Sequence, residues 1–196
     1  MTLTQQPDLK EAILNLSQKE KDKLLVRLIN KDKKLMQQLH FSLLEDENAL
    51  IQRIVTAKAD LEIVFKRMFA GIDKTRTHYK HRELTGYLKS ASGVVNEHAS
   101  ITKNKESELD LRLLILEETF KHYGALYSGE LIGYKSDVHF VYQIARLKAV
   151  LTLYEKLHED LQYEYRERIE NILFFVHASV LHEYAVAAGL KYQHLI

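Results

Sequence analysis

At 196 residues, the chain has room for one domain with a sizeable core, or for that and a small appendage, and two full domains would be a squeeze. With 46% hydrophobic and 28% charged residues it is neither disordered nor fibrous, and 7 Gly and one Pro are too few for the tight reversals of a sandwich or barrel. The absence of Cys removes disulfides, thiolate metal sites and a Cys nucleophile, and the net charge of +1 hides an asymmetry: 19 Lys and Arg against 13 Asp and Glu in residues 1–105, 9 against 14 in 106–196.

The N-terminal sequence carries no basic stretch followed by an apolar core, so no signal peptide is expected. No run reaches the roughly 20 apolar residues of a membrane span. The expected location is cytoplasmic, with no membrane partner. Pro7 and Asp8 open a short helix over about residues 8–15. Ser17 and Glu20 then form a capping box, and Leu24, Leu25, Leu28 and Ile29 share one face of the helix that follows. A break at 30–32 leads to a further stripe through Leu35, Leu39 and Leu43 or Leu44, which predicts a helical hairpin over residues 1–45. The Leu spacing over roughly 30 residues resembles the helical-repeat hairpins of bacterial solenoid proteins. It is also similar to the opening of uncharacterised bacterial all-helical proteins, a resemblance that implies no function. No second copy recurs at a fixed period, which argues against a repeat array.

Residues 46–196 read as a long-helix bundle. Asp46 to Ala70 carries Leu50, Ile54, Ala57, Leu61, Val64 and Met68 at alternating spacings of four and three. The same rule runs through Leu109, Leu113, Leu116, Phe120, Tyr123 and Tyr127 in a helix over 106–127. It recurs through Phe140, Ile144, Leu147, Leu151, Tyr154 and His158 in one over 137–158. The most apolar stretch, Ile169 to Leu190, predicts a central part that the other helices wrap, in a fourth helix over Tyr163 to Leu190 with Gly189 as a natural stop. Between the first two long helices, residues 71–105 contain three Gly and a Ser/Thr-rich run and predict a long flexible crossover. The expected fold is therefore all-α, a small helical hairpin followed by a four-helix-like bundle.

Several constellations are candidates for function. Lys66, Arg67, Lys74, Arg76, Lys80, Arg82 and Lys89, with two interleaved tyrosines, have the composition that binds unpaired nucleic acid: cations for phosphates, rings for bases. No helix-turn-helix, zinc finger or RNA-recognition signature accompanies them. Glu118 and His122, and Glu155 and His158, have helical spacings that could hold a metal between two helices for a hydrolase, although no complete ligand set is present and no cofactor is expected. His177 and His182 are five apart on the predicted last helix and would not share a face. Asn96, Glu97 and His98 form a polar trio in the crossover, with Asn96 expected to cap a turn. Glu164, Glu167 and Glu170, alternating with Arg, predict an exposed ion-paired face rather than a metal site.

The leading expectation is a non-enzymatic helical interaction or scaffold module, working with a protein partner or with itself as a homo-oligomer. A nucleic-acid-binding protein using residues 66–89 is the first alternative, and a helical metal-dependent hydrolase the second.

Overall fold

Among the described residues every element is a helix, because little in the sequence interrupts one. The computed structural model describes residues 2–190, so the last six residues of the predicted bundle lie outside the described residues. The chain divides into two compact units, Met1–Asp46 and Glu47–Ile196.

The first unit contains α1 (Pro7–Leu14), α2 (Gln18–Lys31) and α3 (Lys33–Leu44). Pro7 occupies the first turn of α1, where its missing N–H has no intrahelical partner to lose. Ser17 caps α2 as a capping box with Glu20, the Ser17 amide donating to the Glu20 carboxylate at 3.0 Å. Asp32 alone separates α2 from α3. Its backbone is extended, and its carboxylate accepts from the amides of Lys34 and Leu35, both at 3.0 Å. A single residue thus ends one helix and caps the next. None of the three helices buries a residue.

The second unit holds the core. Its elements are α4 (Glu47–Lys74), α5 (Lys80–Thr102), α6 (Lys105–Tyr123), α7 (Ser136–Tyr154), α8 (Glu159–His177) and α9 (Leu181–Ala187). A 3-10 turn over Thr77–Tyr79 precedes α5 and another over Gly124–Tyr127 follows α6. The fold is all-α, as expected, but among the described residues the bundle has five long helices rather than four. The expected flexible crossover at 71–105 is corrected by α5, which fills most of it.

Helix α5 obeys the seam rule of its neighbours, through the buried Leu84, Leu88, Ala91, Val95, His98 and Thr102. Its hydroxyls do not break the helix because they bond backwards. Thr85 donates to the His81 carbonyl at 2.8 Å and Thr102 to that of His98 at 3.0 Å. Asn96, expected at a turn, sits in mid-helix and accepts from the Arg112 guanidinium at 2.8 Å. His98 is buried and pairs with Ser107 at 2.9 Å.

The central helix is α6, not the C-terminal stretch. Leu109, Leu111, Leu113, Ile115 and Leu116 are each at most 5% exposed and point in several directions. Helices α4, α5, α7 and α8 all contact α6. By contrast α8 buries Ile169, Ile172, Leu173 and Val176 on one face while Phe174 stands 66% exposed. The predicted single helix over 163–190 is broken between His177 and Leu181, where the Val180 amide donates to the Tyr127 carbonyl at 3.0 Å. The short α9 then turns back to contact α7 and α8. Among the described residues no helix is long and apolar enough to cross a membrane.

Candidate functional site

The structure divides the basic segment. Lys66 lines a cleft of about 510 Å³ between α4, α6 and α8, floored by Phe65, Phe69 and Leu114 and edged by Lys58, Asp110 and Arg168. There Asp110 accepts from Lys58 at 2.8 Å and from Arg168 at 2.6 Å. Burial alone would raise the Asp110 carboxyl, but these two cations outweigh it and hold the group below its ordinary value. Arg168 also reaches Glu117 with two nitrogens, at 2.7 and 2.8 Å. Lys58, Asp110, Glu117 and Arg168 are thus paired across helices. Arg67 and Lys74 are exposed on α4.

Arg76, Lys80 and Arg82 gather instead around the turn that starts α5. Arg82 lies 5.2 Å from the Tyr79 ring centroid and 6.0 Å from that of Tyr134, which arrives from the loop before α7. Lys135 follows it, 5.3 Å from the same ring. Sequence spacing does not bring Tyr134 and Lys135 to this surface, because they lie more than 50 residues away along the chain. Tyr87, with Tyr79 one of the two tyrosines interleaved with the basic residues, packs its hydroxyl close to Gly71.

The four metal candidates do not assemble. Glu118 and His122 meet each other at 3.2 Å on α6, with the His122 ring against Phe69 at 4.3 Å between centroids. Glu155 ends α7, and His158 caps α8 and contacts Asp160 at 3.2 Å. Among the described residues no three His, Asp or Glu side chains come together in a way that could hold a metal. His177 and His182, predicted to point apart, are hydrogen-bonded through their Nδ1 atoms at 2.9 Å because the helix breaks between them. One ring must be neutral for this bond to exist. The expected ion-paired face on α8 is present in Arg166 and Glu170, 2.9 Å apart.

The largest buried polar cluster joins α5, the 3-10 turn after α6, and α7. Donor counting fixes its protons. The Thr85 hydroxyl is spent on the His81 carbonyl, so at 2.8 Å it must accept from Nδ1–H of His139. His139 Nε2 is then an acceptor, and the Tyr127 hydroxyl donates to it at 2.7 Å. Tyr127 in turn accepts from the Gln143 amide at 2.7 Å. Burial, reinforced by the neighbouring His81, pushes the His139 imidazole down to about 3. Burial likewise pushes the Tyr127 phenol well up. His81 is fully buried as well; Nε2 donates to the Leu126 carbonyl at 3.1 Å and Nδ1 has no partner. These groups are held neutral and, His81 Nδ1 apart, their polar atoms are taken up by hydrogen bonds inside the protein.

The remaining feature is the apolar surface of the first unit. Leu25, Leu28, Leu43 and Leu44 are 57, 51, 74 and 76% exposed. Leu24, Ile29, Leu35 and Leu39 beside them are only half-buried. Sequence periodicity marks these positions but cannot say that they remain uncovered.

Comparison of the chain with protein-family models, with curated proteins and with solved structures finds no match in any of the three.

Proposed function

We propose that this protein is a non-enzymatic helical interaction module whose unit Met1–Asp46 docks against the same unit of a second copy. The observation that carries this reading is the exposed leucine surface of α2 and α3. A segment of this size with no buried side chain among its described residues gains almost nothing from folding alone, whereas covering each such leucine contributes about 1.5 to 3 kcal/mol. Large exposed apolar side chains gathered on one small unit are the kind of surface that marks interaction sites.

A second copy fits the charge. Residues 1–46 carry eight Lys and Arg and seven Asp and Glu, 8 − 7 = +1, so two copies meet without strong repulsion. The stripe on each copy can satisfy the other in an isologous pair, giving a four-helix arrangement from two α2–α3 pairs. In the second unit His98 and His139, and the charges of Lys58, Asp110, Glu117 and Arg168 between α4, α6 and α8, are committed to internal partners, which supports a scaffold role over chemistry. The lack of Cys suits a reducing compartment, and a cytoplasmic location belongs to the same proposal.

Light scattering on the full chain over a range of concentrations tests it, beside a variant carrying Leu25→Asp and Leu28→Asp. The expected result is a dimer that the variant converts to monomer while helix content is kept. A wild-type protein that stays monomeric, or a dimer indifferent to both substitutions, refutes the reading.

A further inference from the structure

We infer that the surface formed by Tyr79, Arg82, Tyr134 and Lys135, with Arg76 and Lys80 beside it, binds single-stranded nucleic acid. Two tyrosines stand exposed here, Tyr79 at 39% and Tyr134 at 43%. Their rings meet edge to face with centroids 6.1 Å apart. The His78 ring joins them, 5.0 Å from Tyr79 and 6.3 Å from Tyr134. Cations are interleaved with the rings rather than set apart from them: Arg82 spans both tyrosines and Lys135 lies over one.

Residues 74–83 and 133–136 together hold five Lys and Arg and one acid, 5 − 1 = +4. The one acid, Glu83, is engaged by Arg82 and helps hold that guanidinium across the rings. The surface is prebuilt, because the two segments are tied through the backbone: the Tyr134 amide donates to the His78 carbonyl at 2.7 Å. Preorganised surfaces of this sort lose little entropy on binding.

The alternation selects the occupant. Cations neutralise phosphates, and an aromatic face stacks on an unpaired base whatever its identity. A duplex hides its base faces and would engage only the cations. An acidic peptide would satisfy the cations and leave the rings uncovered. A single strand uses both.

The test is fluorescence anisotropy of the full-length protein with a labelled single-stranded oligonucleotide of about 15 nucleotides and with its duplex, at about 50 and 200 mM salt. The single strand should bind more tightly than the duplex, and less tightly as salt rises. Tyr134→Ala should weaken it about five-fold or more at an unchanged salt slope, and Tyr134→Phe, which keeps the ring, should retain it. Arg76→Glu with Lys80→Glu should lower the slope by about 1.4, roughly 0.7 for each phosphate no longer neutralised. No saturable binding at the lower salt overturns the inference. So does equal affinity for duplex with no response to Tyr134→Ala, which would leave only a basic surface.

Discussion

The amide of Tyr134 donates to the carbonyl of His78 at 2.7 Å, and the residue just before Tyr134 is what lets the two segments come so close. A Cβ added to Gly133 would sit 2.5 Å from that same carbonyl oxygen. Backbone cannot yield as a side-chain tip can. Gly133→Ala should therefore destabilise the second unit by about 1 to 3 kcal/mol through overpacking, read as a lower urea midpoint at an unchanged slope.

Gly93 is the opposite case. A Cβ there meets nothing within 4 Å, and the residue lies inside α5, where glycine costs backbone entropy. Gly93→Ala should stabilise by about 0.5 to 1 kcal/mol in the same urea assay. A decrease in stability would mean that α5 is not continuous through this position.

Which helix is central can be measured. Leu111 on α6 is fully buried, and Phe174 on α8, though larger, is 66% exposed. Leu111→Ala should cost about 2 to 5 kcal/mol and Phe174→Ala about 0.5 or less. Comparable costs from both would return the C-terminal stretch to the middle of the bundle.

Removing one oxygen probes the buried cluster. In Tyr127→Phe, His139 Nε2 loses its donor and the Gln143 amide loses its acceptor. The expected cost is about 1 to 3 kcal/mol with little change in shape. Calorimetric unfolding of the two proteins gives the comparison, and an unchanged melting temperature would rule out the assigned hydrogen bonds.

Acid should weaken the fold earlier than carboxylates alone would. Burial lowers His139 from 6.5 to about 3, and lowers His81 and His98 as well. Between these limits the unfolded chain takes up protons that the native state refuses, so stability is full above about pH 6.5 and falls as pH drops below it. Each such histidine contributes up to about 1.4 kcal/mol per pH unit. Urea titrations at pH about 7.5, 6.5 and 5.5 should show a progressive decline. Equal midpoints at all three would exclude neutral buried imidazoles.

Much of the fold is legible in the sequence because helices announce themselves by period and cap. The Ser17 box, the end of α2 at Asp32 and the seams through Leu61 and Met68, Leu113 and Leu116, and Ile144 and Leu147 all follow from spacing alone. Helix α5 is hidden because Gly86, Gly93 and a run of hydroxyl residues look like loop, although the four-three seam from Leu84 to Thr102 lies in the same letters. Composition outweighs period there. The centrality of α6 is visible too, in leucines at 109, 111, 113, 114 and 116 that no single face can hold. The break after His177 is not legible, since residues 169–188 hold neither Gly nor Pro and Gly189 comes too late to mark it. Nor is the meeting of Tyr79 with Tyr134, which depends on a loop's path rather than on a repeat.

The hydrogens of the buried cluster all run one way, from Gln143 through Tyr127 and His139 to Thr85, and the last of them rests on the carbonyl of His81. A peptide oxygen can receive a hydrogen bond but cannot accept the proton and pass it on. The row is a dead end for charge, with no titratable exit, and reversing it would require every member to turn at once. What resembles the wiring of a catalytic relay therefore conducts nothing; it works as a latch that keeps α5, the turn after α6 and α7 in one register.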